Sequence, residues 1–332
     1  MLKRFRDILL LFGVVLVVSG YLLFSSVVSD EDGVIYYVRP GTSVRVMINE
    51  MAEQEVIKYS WFLSLYSHFY WNTTLKTGEY LFPKGSSLFS IWRQVTTGKG
   101  HYYRAFTIVP GWSFPQLLKQ LLLTPTLKHS TQNMNNKQIM QAIGAENVEP
   151  EGEFFPETYN YTRDVPDLVI LQRAYDLMQM HLKEAWSTRA PDLPYTDAYQ
   201  ALIAASLVEK EAYLNSERPI IAGVLVNRLK ANMLLQFDPT VIYGMGDSYY
   251  GQIHHQDLLT DTPYNTYIHK GLPPTPIAMP SEASIQAAMH PTQHSYYYFV
   301  ANGGGGHQFS KTLPEHNIAV DAYKKGKQNV AR

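Results

Sequence analysis

The longest hydrophobic segment of the chain lies near its start. Residues 8–28, ILLLFGVVLVVSGYLLFSSVV, contain no charged side chain. About 21 residues at about 1.5 Å each extend roughly 31 Å as a helix, enough to cross the hydrocarbon core of a bilayer. Basic side chains (Lys3, Arg4, Arg6) precede this segment, and acidic ones (Asp30, Glu31, Asp32) follow it. The positive-inside rule then predicts a single-pass membrane helix with residues 1–7 in the cytoplasm and the rest outside it.

A cleaved signal peptide is the alternative interpretation of this segment. Its apolar region would be shorter, and no Ala-x-Ala cleavage pattern stands near Ser29. The pattern therefore favours a retained anchor. No second apolar run of this length follows, which predicts one soluble ectodomain.

After the anchor, the pattern alternates between the periods of strands and helices. Residues 34–47 predict a strand, a turn at Pro40 and Gly41, and the start of a helix. MAEQEVI and SWFLSLYSHF predict short helices, GEYLF a strand, and SLFSIWRQVTTGKG a helix closed by glycine. Residues 33–103 are therefore predicted to form a small α+β domain.

Residues 104–325 are predicted to form a larger, mixed α/β domain. Its predicted elements are a strand at 106–109, a helix at 113–123, a polar surface loop at 124–136, an amphipathic helix from Asp167, a helix capped by Asp197, a helix with Pro219 in its first turn, a short helix in SIQAAMHP, and a hairpin in SYYYFVANGGGGHQFS. The whole chain is thus predicted to be an α+β protein with one N-terminal membrane helix.

Composition excludes several classes of function. A formal net charge of -1 provides no basic surplus, so nucleic acid is not a predicted partner. The absence of Cys excludes disulfides, thiolate metal sites and a Cys nucleophile. The 24 Tyr and 14 Phe either fill a core or line a groove that holds an apolar or sugar face.

Three glutamates stand close together in SLVEKEAYLNSE, residues 206–217. On a helix from Asp197, Glu211 shares a face with small and aliphatic residues, whereas Glu209 points nearly opposite. Glu217 falls near the start of the next helix, where an acid is favoured by the helix dipole. An acid among aliphatic side chains is more easily kept protonated and can then act as a proton donor. Taken alone, the Glu-Lys-Glu pattern is equally typical of a solvated helix end.

The motifs around these glutamates resemble one enzyme family. In chain order they are EGEFFPETY, SLVEKEA, LQFDPTVIYGMGD, YNTYIHKGLPPTPIAMP, AAMHP and YFVANGGGGHQF. Together they are similar to the membrane-bound endolytic murein transglycosylases, the YceG-like family. The resemblance covers nearly the whole chain. The motifs are specific in combination and in this order, but not singly.

The resemblance implies cleavage of the β-1,4 bond between N-acetylmuramic acid and N-acetylglucosamine in nascent peptidoglycan, leaving a 1,6-anhydro end. It implies Glu211 as the catalytic residue, near a helix C-terminus. Ala212 follows Glu211 where many relatives have Thr or Ser. The implied substrate-binding residues are Tyr159, Gln236, Asp238, Tyr264, Asn265 and Tyr267. For each tyrosine, core packing is the alternative.

The resemblance also implies the cellular setting. The small domain at 33–103 loosely resembles a LysM-like domain, and its alternative role is that of a spacer. Peptidoglycan strands, the bacterial inner membrane and peptidoglycan synthases are the expected partners. Two other hypotheses remain at this stage: a glycan-binding scaffold without catalysis, and a hydrolase in which Asp238 or Glu157 supplies a second carboxylate.

Weaker signals have structural alternatives. Asp238 is as well explained by a helix cap, and Glu151 and Glu157 either bind sugar or brace the helix of Glu211. His290 and His294 are separated by Pro291, and the His-Glu-x-x-His motif is absent, so neither a metal nor any other cofactor is predicted. The glycines at 303–306 are expected to form a hairpin tip.

Overall fold

The computed structural model describes residues 2–70 and 73–330 and has a mixed α/β fold, as predicted. Met1, the first residue of the predicted cytoplasmic segment, lies outside the described residues. The chain divides into two units: a first, up to Ala105 together with Asn160–Val165, and a second, comprising Phe106–Tyr159 and the chain from Pro166. Strands β3 (Arg104–Thr107) and β4 (Thr158–Tyr161), which pair with each other, contribute residues to both units.

Helix α1 (Leu2–Phe24) is long and apolar enough to cross a membrane. It ends four residues before the predicted boundary at Val28. Val27 and Val28 are buried in the first unit, where the Val27 N–H donates to the Ser86 carbonyl over 2.8 Å. The last residues of the apolar run therefore belong to the core of the first unit and not to α1. Backbone hydrogen bonds to Gly85 and Ser86 hold them there.

The first unit is built on two antiparallel strands, β1 (Val34–Val38) and β2 (Gly78–Phe82), with Tyr36 opposite Tyr80. Three helices pack with them: α2 (Val44–Glu53), α3 (Ser60–His68) and α4 (Leu88–Thr97). The strands, α3 and α4 lie where the sequence predicts them. The prediction of a helix through MAEQEVI was wrong beyond Glu53, because Glu55 adopts a left-handed conformation (φ 56°) that ends α2.

The second unit contains eight helices among the described residues. They are α5 (Phe114–Leu122), α6 (Asn136–Ala142), α7 (Asp167–Ser187), α8 (Ala198–Glu211), α9 (Arg218–Lys230), α10 (Asp238–Met245), α11 (Glu282–Met289) and α12 (Leu313–Val330). Strands β5 (Tyr298–Ala301) and β6 (His307–Ser310) form the predicted antiparallel hairpin. Helices α6 and α12 were not predicted, and α10 was indicated only by the alternative role of Asp238 as a helix cap.

Helix α8 lies at the centre of this unit. Asp197 caps it as predicted, its side chain accepting the Gln200 N–H over 2.9 Å. Every residue from Ala201 to Val208 is buried, and α7, α9, α10 and α11 pack around the helix. A helix that is apolar on all sides suits such a position. The core therefore fixes the direction of α8, whose last residue is Glu211.

Candidate active site

The C-terminal end of α8 opens into a cavity of about 400 Å³ within the second unit. Glu211 is partly buried and lines this cavity. The other lining residues are Arg228, Leu235, Gln236, Asp238, Tyr267, Tyr298, Phe299, Leu313, His316 and Asn317. Four residues singled out from the sequence thus come together: Glu211, Gln236, Asp238 and Tyr267.

The environment of Glu211 favours its protonated form. Burial raises the pKa of Glu211 to about 8, and the Asp238 carboxylate adds to this rise, while Arg228 opposes it. The end of α8 acts in the same direction as burial, because the negative end of the helix dipole disfavours a carboxylate. Near neutral pH the side chain is therefore mostly a carboxylic acid, which can donate a proton into the cavity.

Asp238 and Tyr267 form a pair on the cavity wall. The Tyr267 hydroxyl donates to Asp238 Oδ1 over 2.5 Å. Burial and this hydrogen bond raise the pKa of Tyr267, so the phenol stays neutral. Asp238 is the first residue of α10 and Phe237 is the cap, so the alternative role of Asp238 as a helix cap was wrong by one position. Its carboxylate is instead held at the cavity by Tyr267.

The motifs LQFDPT and YNTY are joined by two buried threonines. Thr240 donates its hydroxyl to the Phe237 carbonyl over 2.6 Å, and Thr266 Oγ1 accepts the Phe237 N–H over 3.0 Å. The two hydroxyl oxygens lie 2.9 Å apart. Gln236, held between these contacts, has a left-handed backbone (φ 54°), and its N–H donates to the Thr266 carbonyl. These contacts fix Gln236 and Asp238 on the cavity wall.

Arg228 is a residue of the cavity wall that the sequence did not predict. This buried side chain of α9 donates to the carbonyls of Tyr297 and Leu235, each over 2.6 Å, and its guanidinium lies 5.2 Å from the Tyr298 ring centroid. This cation, held by carbonyl oxygens, joins α9, the 234–236 segment and Tyr297, the residue before strand β5. In the sequence, Arg228 is one of two basic residues in the last turn of this helix, which gave no sign that its side chain is buried.

His316 and Tyr298 also line the cavity, and neither was predicted as a site residue. His316 of α12 stacks on Tyr298 with ring centroids 5.4 Å apart. Burial and, next, the nearby Arg228 lower the pKa of His316, which favours a neutral imidazole. Its Nδ1 is buried and has no hydrogen-bond partner within the described residues. The helix that carries His316 was not predicted, so its position at the cavity could not be either.

The other two glutamates of the motif have structural contacts. Glu209 Oε2 accepts the Ser281 hydroxyl over 2.5 Å and the Ser284 hydroxyl over 2.7 Å, and it pairs with Arg218 at 3.3 Å. Glu217 binds the N–H of His307 over 2.8 Å and its ring nitrogen Nδ1 over 2.7 Å. Glu217 therefore anchors hairpin β5–β6 to the start of α9, a role more specific than the predicted dipole effect.

Three predicted substrate-binding residues lie outside the cavity lining. The buried Tyr159 donates its hydroxyl to the Phe155 carbonyl over 2.7 Å. Tyr264 bonds Thr275 over 3.0 Å and packs against Tyr243. Asn265 is buried and donates to the carbonyls of Leu258 and Thr260. These contacts correspond to the packing alternative, and they shape the loops around the cavity.

Glu151 and Glu157 do not line the cavity. Glu151 is buried, accepts the Phe114 N–H at the start of α5 and the Tyr243 hydroxyl over 3.0 Å, and has its pKa raised by burial to about 7. Glu157 is exposed and accepts the N–H of Thr158. Glu151 therefore joins the start of α5 to Tyr243 of α10, and the expectation that it either binds sugar or braces the helix of Glu211 does not describe these contacts. No group of three or more His, Asp or Glu suited to a metal occurs in the described part of the chain.

Comparison with known proteins identifies the family. The profile of the YceG-like family matches residues 36–322, most of both units. The chain belongs to the YceG-like family. A relative from Bacillus subtilis (strain 168), named endolytic murein transglycosylase, is 30% identical over 306 residues, covering 85% of this chain and 82% of its own.

Another member of the YceG-like family has a known structure. A crystal structure of a putative yceG-like protein from Listeria monocytogenes superposes with a TM-score of 0.55 at 26% identity, covering 87% of this chain and 99% of that one. An endolytic murein transglycosylase of Streptococcus pneumoniae (serotype 2, strain D39) is 30% identical over 185 residues, 54% of this chain. That match spans 33% of the pneumococcal protein, which is much longer.

Proposed function

We propose that this chain is an endolytic murein transglycosylase that uses Glu211 as its acid and base. The observation that carries the proposal is the setting of Glu211, whose carboxyl lies at the end of a buried helix, lines a cavity and has its pKa raised by burial to about 8. The name of the Bacillus subtilis relative, which aligns over most of both chains, supports the substrate class. The bond cleaved is the β-1,4 bond from N-acetylmuramic acid to N-acetylglucosamine in nascent strands.

One acid suffices for this reaction because the substrate supplies the nucleophile. Glu211 gives its proton to the glycosidic oxygen as the bond from that oxygen to the muramyl C1 breaks. The muramyl 6-hydroxyl oxygen then bonds to C1, and its proton returns to the Glu211 carboxylate. The products are a chain with a new N-acetylglucosamine end and a 1,6-anhydro-muramyl end. Proximity of the 6-hydroxyl replaces the water that a hydrolase must activate.

The remaining wall residues are suited to hold the reacting sugar. Gln236 offers an amide for hydrogen bonds, and the Asp238 carboxylate lies where it stabilises the positive charge that develops on the ring. Tyr267 keeps Asp238 in place through its hydroxyl. Phe299 offers an apolar ring to the sugar, whereas the Tyr298 ring is stacked by His316. Tyr159, Tyr264 and Asn265 take part indirectly, through the loops that they support.

The cellular setting follows from the same proposal. Helix α1 anchors the protein in the inner membrane with its first residues in the cytoplasm, and both units lie in the periplasm. Cleavage beside the membrane then ends the elongation of new strands, with peptidoglycan synthases as partners. The first unit acts as a LysM-like domain next to the membrane.

The test is an analysis of chain ends made by the full-length protein in detergent. Full-length protein is needed because Val27 and Val28 are buried, so that truncation at Ser29 would remove two core side chains. Uncrosslinked glycan strands are incubated with wild type, Glu211→Gln and a matched control, Glu157→Gln, in an exposed acid outside the cavity. New ends are identified by mass spectrometry.

The expected result is anhydro ends, lighter by one water than reducing ends, from wild type and Glu157→Gln but not from Glu211→Gln. Reducing ends that disappear in Asp238→Asn would establish a two-carboxylate hydrolase instead. Strand binding without cleavage by a well-folded wild type would support the scaffold hypothesis and overturn the proposal.

A further inference from the structure

Helix α3 of the first unit exposes a stripe of large apolar side chains. Trp61, Leu65 and Phe69, spaced four residues apart, lie along one side of the helix and its C-terminal cap. They are 62%, 53% and 78% exposed. Tyr59 and Tyr70, at the two ends of the stripe, are also exposed. Such a surface is far more apolar than a solvated helix face requires, so it indicates a contact with a partner.

The composition of this segment narrows the nature of the partner. Residues 56–77 contain seven aromatic residues and no acidic residue, and Lys58 and Lys76 are their charged side chains. Trp and Tyr concentrate at the boundary between lipid and water, where a ring is buried and its polar atom stays hydrated. A helix with Trp, Phe and Leu on one face and basic residues nearby is typical of an interfacial helix.

Helix α3 is connected to the end of α1 through side chains of α4. Leu22 and Leu23, near the end of α1, pack against the core of the first unit. Phe24 contacts Phe89 at the start of α4, with ring centroids 5.1 Å apart. Trp92, about one turn further along α4, contacts Tyr66 of α3 at 5.9 Å. Two ring contacts and one helical turn therefore connect the end of the apolar helix to α3.

We propose that α3 docks on the bilayer surface from which α1 emerges, with Trp61, Leu65 and Phe69 inserted at the boundary between headgroups and acyl chains. This inference rests on the proposed role of α1 as a membrane anchor. The first unit is then held to the membrane at two points, α1 and α3. A second contact restricts the rotation of this unit about the end of α1.

A bilayer accounts for the surface better than a soluble partner does. The anchor already places the first unit beside lipid, so insertion of α3 adds little loss of translational freedom. The segment also lacks the acidic residues that an anionic lipid surface would repel. A second copy of the chain or another protein remains distinguishable by experiment.

The chain has no Cys, so single cysteines can carry a fluorescent label without background. The full-length variants Leu65→Cys, Trp61→Cys, Asn49→Cys and Tyr21→Cys are labelled with a nitrobenzoxadiazole probe. Asn49 is an exposed polar position of α2, and Tyr21 is an exposed position of α1. Each protein is placed in vesicles of phosphatidylethanolamine and phosphatidylglycerol, with a quencher either on the lipid or in water.

The expected result is that the lipid-borne quencher reduces emission from the labels at Leu65, Trp61 and Tyr21 about threefold more than from Asn49. Water-exposed labels at Leu65 and Trp61, with Tyr21 still in lipid, would overturn the docking of α3 and leave the anchor intact. A water-exposed Tyr21 would overturn both. Labels shielded from both quenchers would show a protein contact, and would also overturn the proposal.

Discussion

At the scale of single residues, the protonation of Glu211 governs the proposed reaction. Because the acid must be protonated to begin the reaction, and its pKa is raised to about 8, activity should fall as pH rises through about 8. The Asp238 carboxylate contributes to the raised pKa. Asp238→Asn should therefore move the fall in activity to lower pH, besides lowering the maximal rate. Rates of anhydro-end formation between pH 3.5 and 9.5 measure both effects.

The control for this prediction is Glu157→Gln, whose pH profile should match that of wild type because its side chain lies outside the cavity. A profile of Asp238→Asn that falls at the same pH as wild type would show that Asp238 does not act on the proton donor. A fall in wild-type activity centred near pH 4.5 would show that Glu211 is an ordinary, ionised carboxylate.

Arg228 is a second residue whose replacement has a definite expected effect. Its guanidinium reaches the carbonyls of Leu234, Leu235 and Tyr297 at once, which a lysine ammonium cannot reproduce in the same plane. Arg228→Lys should leave a buried carbonyl unpaired and lower the free energy of unfolding by about 1–3 kcal/mol. Urea unfolding measures this effect, with the exposed Arg45→Lys of α2 as the control.

Replacement of Arg228 should also lower the catalytic rate, because the 234–236 segment, which carries Gln236, loses its hydrogen bonds to the guanidinium. We expect anhydro-end formation by Arg228→Lys to fall about tenfold or more at a temperature where the variant is folded. A variant with wild-type stability and rate would mean that the contacts of Arg228 with the carbonyls are not needed to shape the cavity.

At the scale of elements, the threonine pair connects the start of α10 to the 264–267 segment. Thr266→Val removes the acceptor of the Phe237 N–H and leaves that buried group unpaired, which costs about 1–3 kcal/mol. The variant should unfold at lower temperature and bind strands more weakly, because Gln236 and Asp238 lose their support. Thermal unfolding and strand affinity provide the measurements.

Thr266→Ser is the matched control, since it keeps the hydroxyl and removes one methyl group. It should retain most of the affinity, with a modest loss of stability from the lost packing. Because valine keeps that methyl group, a larger loss in Thr266→Ser than in Thr266→Val would show that packing of the methyl group, and not the hydrogen bonds, supports this segment.

The elements that the sequence predicted share a clear local signal. Helix α8 has an Asp cap and an apolar run, α4 has Ser87 before it and Gly98 after it, and β5–β6 flank a glycine turn. Helix α6 was missed because its cap, Asn135, lies in a polar stretch typical of a loop. Helix α10 was missed because Asp238 and Pro239 suggest a turn as readily as a first helical turn.

At the scale of the whole molecule, the sequence predicted which glutamate of the motif reaches the cavity, but not most of the cavity wall. Helical geometry separated Glu211 from Glu209, and the structure gives Glu209 three partners while Glu211 faces the cavity. Arg228 and His316 could not be predicted, because their positions depend on how α9 and α12 pack around β5. The motifs also could not separate tyrosines that face the cavity from those, such as Tyr159, that support it.

Burial of acids in the second unit should make its stability depend on pH. Glu153 is 2% exposed, accepts one hydrogen bond from Gln179 over 2.6 Å, and has its pKa raised by burial from 4.5 to about 7. Because the folded state then holds a proton that the unfolded state releases, this contribution to the free energy of unfolding is fully present below pH 4.5 and is lost as pH rises towards 7.

Glu153→Gln keeps a neutral group of the same shape. It should raise the free energy of unfolding by about 3 kcal/mol at pH 8 and by less than about 1 kcal/mol at pH 5. Unfolding in urea at both values, beside the exposed Glu146→Gln, measures the difference. An equal effect of Glu153→Gln at the two pH values would mean that Glu153 is charged when folded.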